Sequence, residues 1–230
     1  MRPQKICGIM EKEVSKMRDF PIFDTPYGIA SLVLKEIPYQ GNAFITLQST
    51  QEPELLLKEC VDFCRVCGAE RIYATGENLP QGYPLYTTVI RMVCHGASLP
   101  ETDAAVFPVQ SHTLEQWRGI YNQKVIKVPN GAWMTEKDAK RMLDDGSGYF
   151  VHRNGKLLGI GKVSGSELEW VASVMPGAGR DVVCALSHAA CADKLELTVA
   201  STNPKALQLY RELGFLPTQE ISRWYTVYPK

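Results

Sequence analysis

The sequence predicts an α/β protein of the α+β type, in which a mixed, mostly antiparallel twisted sheet is flanked by helices. Three observations predict it. Short segments that alternate apolar and polar residues recur along the chain, as strands with one buried face do. Between these strand-like segments lie others with apolar residues three and four positions apart, a spacing typical of helices. Beyond residue 105 a hairpin is followed by alternating strands and helices, so antiparallel and parallel pairings are mixed in this part.

Composition narrows the classes of protein. The chain has 230 residues, 45% of them apolar, which is enough to bury a sizeable core. Its 25 basic residues balance 25 acidic ones, so it lacks the net positive charge that favours binding to nucleic acid. It has no run of 18 apolar residues and no apolar leader, so we expect a cytoplasmic protein that does not bind a membrane. An odd number of cysteines, seven, favours free thiols in a reducing compartment.

The first part, residues 1–103, reads as a small α/β unit. Two strands form a hairpin, a helix ends at Gly68, and two more strands follow; their ranges are 28–37, 43–48, 54–67, 71–75 and 85–93. Residues 96–108 break the periodicity and form the predicted linker. The order of strands and helices in the first part is a weaker copy of the order in residues 104–230. The last helix of residues 104–230 has no counterpart in the first part. We therefore interpret the first part as a truncated, degenerate repeat.

The second part, residues 104–230, has clearer signals. Thr113 and Gln116 are spaced as a capping box, and Thr135 opens a second helix. Asn154-Gly155 suits a type I′ turn, because both positions need positive φ. The remaining predicted elements are, in order, a strand at 167–174, a helix at 182–192, a strand at 195–199, a helix at 204–213 and strands over 221–228. The order within the second part predicts helices packed around one mixed sheet.

The most informative stretch is the last helix, from Asn203 to Phe215. Asn203 is predicted to cap it, Pro204 to begin it and Gly214 to end it. Ala206, Leu209, Tyr210 and Leu213 share one helical face. The spacing of Asn, Ala, Leu-Tyr and Gly-Phe resembles the last helix of the GNAT (GCN5-related) N-acetyltransferases. Together with the preceding strand and the closing strands, the resemblance covers about half the chain.

The resemblance implies an acetyl-CoA-dependent enzyme that needs no metal. In the family a tyrosine at the position of Tyr210 protonates the departing thiolate, which a phenol with a pKa of about 10 suits. The asparagine at the position of Asn203 caps the helix and touches the pantetheine arm or the reacting centre. The residues alone also allow Tyr210 to be a core aromatic and Asn203 to be only a cap.

The second stretch that carries the resemblance lies between the strand at 167–174 and the next helix. Val174, Gly177, Ala178, Gly179, Arg180 and Asp181 occupy the position of the family's pyrophosphate loop, where backbone amides at a helix N-terminus cradle a diphosphate. The pattern departs from the family's: Pro176 stands where Arg or Gln is usual, and Asp181 stands at a small-residue position. The loop also looks about two residues short. An ordinary glycine-rich turn remains the alternative.

The strand at 167–174 resembles the family's bulged central strand. The resemblance implies a wedge beside it in which pantetheine pairs with strand amides, Val174 lying at that point. Glu167 and Glu169 share a face, and we take Glu169 as the candidate base for the substrate ammonium. Two exposed strand carboxylates are the alternative.

Two other patterns are discounted. The spacing of Cys60, Cys64 and Cys67 matches an iron–sulfur motif, but it falls on a predicted helix, where such cysteines pack as small apolar residues. Gly159-Ile160-Gly161 follows a hairpin turn and is no dinucleotide fingerprint.

The sequence therefore predicts an N-acetyltransferase that acts on a small-molecule or peptide amine. Its alternative is a non-catalytic CoA-sensing or protein-interaction module with a degenerate GNAT fold, which Pro176 and Asp181 favour. In either case the first part could complete the acceptor pocket or a pseudo-dimeric sheet. A homodimer is also left open.

Overall fold

The computed structural model describes residues 21–126, 128 and 131–229. The chain forms two compact units, Met1–Tyr86 with Trp224–Lys230, and Thr87–Arg223. The division falls between Tyr86 and Thr87 and not in the predicted linker, and residues 224–229 belong to the first unit. The interpretation of the first part as a degenerate repeat stays a prediction.

The first unit is a twisted sheet with one long helix against it. Its elements are β1 (Ile22–Thr25), β2 (Gly28–Val33), α1 (Ile37–Gln40), β3 (Asn42–Thr50), α2 (Pro53–Val66) and β4 (Arg71–Thr75). The strands pair in chain order, antiparallel up to β3 and parallel from β3 to β4. The crossover is α2, whose buried face packs on β2 and β3. The predicted hairpin, helix and following strand are confirmed. The first strand of the hairpin, however, ends at Val33 and not at residue 37, and α1 occupies part of the predicted connection.

The cysteines of α2 behave as core residues. Cys60 and Cys64 are fully buried, whereas Cys67, just past the helix, is exposed. Burial raises the pKa of both the Cys60 and the Cys64 thiol to about 12. The six cysteines of the described region are free, and Cys7 lies outside it. The helical-core interpretation is confirmed for Cys60 and Cys64.

Thiol labelling should therefore divide the cysteines into two groups. At pH 8 the exposed Cys67 and Cys191 are expected to react quickly with a disulfide reagent, since only the accessible thiolate attacks. Cys67→Ser and Cys191→Ser should each remove one rapidly reacting thiol, and Cys60→Ser should remove none. Loss of a rapid thiol in Cys60→Ser would show that α2 opens readily.

The second unit has a larger mixed sheet. Its elements are β5 (Leu85–His95), β6 (Ala105–Pro108), α3 (Leu114–Val125), α4 (Glu136–Asp144), β7 (Gly148–Arg153), β8 (Lys156–Ser164), β9 (Glu167–Ser173), α5 (Gly179–Ala190), β10 (Lys194–Ala200), α6 (Pro204–Glu212) and β11 (Leu216–Tyr228). The strand order is β11-β5-β10-β9-β8-β7-β6. From β6 to β9 the pairs are antiparallel, as is β5 with β10; β9 and β10 are parallel. The predicted fold class is confirmed.

Local signals account for several ends of these elements. Asn154 and Gly155 adopt φ of 51° and 74°, as a type I′ turn requires. Thr135 caps α4 as predicted, its hydroxyl accepting a hydrogen bond from the Asp138 amide. The predicted capping box at Thr113 is wrong. The Thr113 side chain instead pairs with Gln110 across a short 3₁₀ turn, which engages the hydroxyl before α3 begins.

Helices cover both faces of the second sheet. On one face Trp117 of α3 packs with Ile160 of β8 in a cluster completed by α4, and its indole donates to the Tyr149 carbonyl at 2.9 Å. On the other face α5 lies against β8 and β9. None of the helices in the described part of the chain is both long and apolar enough to cross a lipid bilayer.

Two glycines of β8 let α5 approach the sheet closely. A Cβ at Gly161 would lie 2.2 Å from Cδ1 of Leu186, and one at Gly159 would lie 2.7 Å from Cγ2 of Val182. Both contacts are shorter than carbon atoms tolerate. The Gly159-Ile160-Gly161 sequence thus allows close packing of α5 on β8, which places the α5 N-terminus.

Candidate functional site

The candidate site begins where β9 and β10 separate. Among the described residues the two parallel strands share one registered pair, Glu167 with Glu196, at their amino ends. Beyond it β9 pairs with β8 through Ser173, and β10 pairs with β5 through Ala200. The facing edges of β9 and β10 therefore lack registered partners in each other toward their carboxyl ends. An extended ligand can pair with strand edges of this kind.

The Val174 amide, predicted to lie at this opening, does not face it. The Val174 amide donates to the Leu158 carbonyl at 2.8 Å, and the Met175 amide donates to the same oxygen at 3.1 Å. Successive residues of a strand direct their amides to opposite edges, so those of Val171 and Ser173 point toward β10. Sequence reasoning missed both, because the strand register that decides this alternation depends on pairing with β8.

The loop after β9 ends in an uncapped helix. Ala178 is the N-cap of α5 and provides no side-chain cap, which leaves the first amides of the helix, those of Gly179, Arg180 and Asp181, without intrahelical acceptors. Gly177 has φ of +81°, a conformation that side chains disfavour, and a Cβ there would meet nothing within 4 Å. Such amides, with the positive end of the helix dipole, fit a diphosphate.

The structure brings the loop together with the last helix. A Cβ at Gly179 would lie 3.1 Å from Cδ2 of Leu209, the neighbour of Tyr210 on α6. The Arg180 guanidinium pairs with Glu212, at the end of α6, at 3.6 Å. Both groups of that pair are about half exposed, so Arg180 is not locked in place. The two stretches singled out in the sequence thus form one corner of the second unit.

The carboxylate of Asp181 is engaged by two side chains from outside α5. Its Oδ2 lies 3.1 Å from Nη1 of Arg153, which belongs to the tight turn of the β7–β8 hairpin. Its Oδ1 accepts a hydrogen bond from the Thr102 hydroxyl at 3.3 Å. The second partner of Arg153 is Asp103, at 3.3 Å. Sequence reasoning missed Arg153, because nothing local connects a hairpin turn with a helix that starts 26 residues later.

The last helix has the predicted ends. Asn203 caps α6 by accepting the Ala206 amide at 3.3 Å, Pro204 begins the helix, and Gly214 follows it with φ of +89°. The capping function of Asn203 is confirmed, and its contact with a cofactor stays a prediction. The side chain can accept one helical amide and still donate through its NH₂ group.

Tyr210 lies at the inner side of α6. Its ring packs on the core of the second unit, 5.8 Å from the ring of Phe215 between centroids. Burial raises the pKa of Tyr210 to about 12. The hydroxyl therefore keeps its proton throughout the neutral range, as a general acid must before it acts.

This pKa shift has a consequence for stability. The folded state holds the Tyr210 proton more tightly than an unfolded chain, whose tyrosines have a pKa of about 10. The contribution of Tyr210 to the free energy of unfolding is complete below the pKa of the unfolded chain. It is lost as the pH rises through the pKa of the folded state. Urea unfolding of wild type and Tyr210→Phe should therefore show a stability difference that is constant below about pH 9 and changes as the pH rises from about 10 toward 12. A constant difference would contradict the shift.

Glu169 is the extra residue of a β-bulge. Lys162 lies opposite Trp170 and Val163 opposite Leu168, so Glu169 has no residue across from it on β8. The bulge that the resemblance implies is present, although on the β8 side of the strand. The Glu169 carboxylate is ion-paired with Lys162. A substrate ammonium would therefore have to share this carboxylate with Lys162.

Comparisons with known proteins agree with this architecture. No protein-family model and no curated protein matches the chain. A GCN5-related N-acetyltransferase from Sphaerobacter thermophilus is 11% identical, with a TM-score of 0.56 over 95% of this chain and 86% of that one. One from Kribbella flavida is 12% identical, with a TM-score of 0.60 over 96% of this chain and 64% of that one.

A third similar structure is a functionally unknown conserved protein from Staphylococcus epidermidis ATCC 12228. It is 11% identical, with a TM-score of 0.59 over 90% of this chain and 93% of that one. Structural similarity at identities this low establishes the fold alone. The activity has to be argued from the residues of the site. The chain has the GNAT fold.

Proposed function

We propose that the chain is an acetyl-CoA-dependent N-acetyltransferase, which transfers an acetyl group to a primary amine by direct attack. One observation carries the proposal: β9 and β10 lose their pairing at the carboxyl ends, beside the uncapped N-terminus of α5. Strand edges there suit an extended amide-containing arm, and the helix amides suit a diphosphate. Acetyl-CoA carries both groups.

Each residue then has a defined task. The amides of Gly179, Arg180 and Asp181 bind the diphosphate, with Gly177 and Ala178 shaping the approach. Edge amides of β9, those of Val171 and Ser173, bind the arm and stabilise the oxyanion as the amine adds to the acetyl carbon. Asn203, at the start of α6, donates to the arm through its amide group.

The bond to sulfur then breaks, and Tyr210 gives its proton to the departing thiolate. The nitrogen of the acetylated product releases its extra proton to solvent, and solvent reprotonates Tyr210. Burial makes Tyr210 a weaker acid than a free phenol. A thiolate released in the same desolvated place becomes a stronger base. The pKa values of the phenol and of the thiol are therefore raised together, and proton transfer between them stays favourable. The substrate loses its own proton before attack. We assign to Glu169, which is ion-paired with Lys162, the transient acceptance of that proton, and an amine that is already neutral needs no such acceptor.

The alternative of a non-catalytic module has its own support. The Val174 and Met175 amides are both engaged by Leu158, and Asp181 brings a negative charge to the diphosphate site. A module of this kind would bind CoA or acetyl-CoA without transferring the acetyl group, or would bind neither of the two molecules.

Product analysis separates the two functions. The full chain is incubated with acetyl-CoA and a polyamine, an aminoglycoside, amino acids and a peptide with a free N-terminus, and acetylated amines are detected by mass spectrometry. Mass is preferred to a thiol reagent because the exposed Cys67 and Cys191 would react with it. An acetylated product that depends on the protein supports the transferase. CoA binding without product across the panel favours the module.

A further inference from the structure

The carboxylate of Asp181 lies in the first turn of α5, where its charge would repel a diphosphate. Asp181 is the third residue of the helix, so its own amide belongs to the set that faces a bound anion. Two negative charges a few ångströms apart repel each other strongly when the site is partly dehydrated. A working diphosphate site therefore needs this charge to be cancelled or turned away.

The cancelling group is the guanidinium of Arg153. Nη1 of Arg153 lies 3.1 Å from Oδ2 of Asp181, and the Thr102 hydroxyl holds the other carboxylate oxygen. The two side chains are 35% and 27% exposed, so the pair is partly shielded from solvent and salt. The second carboxylate on Arg153, that of Asp103, is 69% exposed and competes weakly for the guanidinium.

The backbone of Arg153 is placed by the sheet. It ends β7 and is paired with Lys156, immediately before the tight turn at Asn154 and Gly155. From this hairpin the guanidinium reaches its two carboxylate partners, Asp181 and Asp103. The second unit thus brings a positive charge to the first turn of α5 from a distant part of its sequence.

We propose that Arg153 is an electrostatic positioning residue of the diphosphate site: by neutralising Asp181 it makes the α5 N-terminus receptive to an anion. This inference rests on the proposed function. Arg153 acts through Asp181, and contact with the ligand is not required. The departure of Asp181 from the small residue usual in the family is therefore compensated within this chain, and the pair forms one functional unit.

The test measures binding, not turnover. CoA is titrated calorimetrically into wild type, Arg153→Ala, Arg153→Ala/Asp181→Asn and the control Asp103→Asn, which removes the competing carboxylate and leaves Asp181 covered. Arg153→Ala is expected to weaken CoA binding about tenfold, and the added Asp181→Asn to restore it to within about twofold of wild type. Asp103→Asn should leave the affinity unchanged or slightly improved.

A neutral ligand distinguishes electrostatics from damage to the fold. Pantetheine has the arm of CoA without its phosphates, so its affinity should be the same in wild type and Arg153→Ala. Equal weakening of CoA and pantetheine, or no rescue by Asp181→Asn, would overturn the role of Arg153 while wild-type binding of CoA keeps the proposed function. Absence of CoA binding to wild type at millimolar ligand would instead overturn the proposed function, and this inference with it.

Discussion

Tyr210→Phe is expected to lower kcat for acetyl transfer by about 100-fold or more while the affinity for acetyl-CoA changes less than about twofold. The substitution removes one hydroxyl and keeps the ring that packs near Phe215. The departing thiolate would then have to be protonated by water. Steady-state kinetics on the acceptor found by product analysis, with calorimetric titration of acetyl-CoA, measures both quantities.

The matched control is Tyr27→Phe, which removes a hydroxyl from a tyrosine packed on the core of the first unit. It should leave kcat unchanged. If Tyr210→Phe also keeps the wild-type kcat, another group protonates the thiolate, and Tyr210 is only a core residue. If Tyr210→Phe loses acetyl-CoA binding as well, its effect is structural and the assignment as acid is unsupported.

Gly159→Val is expected to destabilise the protein by about 3 kcal/mol and to weaken acetyl-CoA binding. A Cβ at this position would lie 2.4 Å from the Ala172 carbonyl oxygen and 2.7 Å from Val182. The first contact is with backbone, so the strand or α5 must move, and movement of α5 displaces the amides of the proposed diphosphate site. Urea unfolding and calorimetric titration report the two effects.

The control for that experiment is Gly119→Ala. Gly119 lies within α3, and a Cβ there would meet nothing within 4 Å. Alanine should stabilise the helix by up to about 1 kcal/mol and leave acetyl-CoA binding unchanged. An unfolding free energy for Gly159→Val equal to that of wild type would show that α5 does not depend on close contact with β8.

Local sequence signals predicted the parts of the fold that local chemistry decides. Asn203, Pro204 and Gly214 mark the ends of α6, and Asn154 with Gly155 marks the hairpin turn, because capping and positive φ depend on one or two residues. The GNAT fold could be predicted since these elements also follow the family's order. Thr113 shows the limit of such signals, because a neighbouring 3₁₀ turn engages its hydroxyl.

The candidate site was less predictable because its chemistry depends on register and on distant side chains. Glu169 was singled out as a strand carboxylate, but its bulge and its pair with Lys162 arise only when β8 and β9 align. The partner of Asp181 is likewise decided by tertiary packing. The boundary between units escaped prediction because the end of β11 returns to pair with β4.

Amide hydrogen exchange with and without acetyl-CoA tests most directly whether the ligand binds between β9 and β10 and at the start of α5. The exchange of backbone amides is followed by mass spectrometry of proteolytic fragments. We predict that acetyl-CoA slows exchange in residues 171–182 and 197–206, with little change in 22–75. Saturating acetyl-CoA that leaves exchange in 171–182 unaltered, or protects only the first unit, would contradict the location of the site.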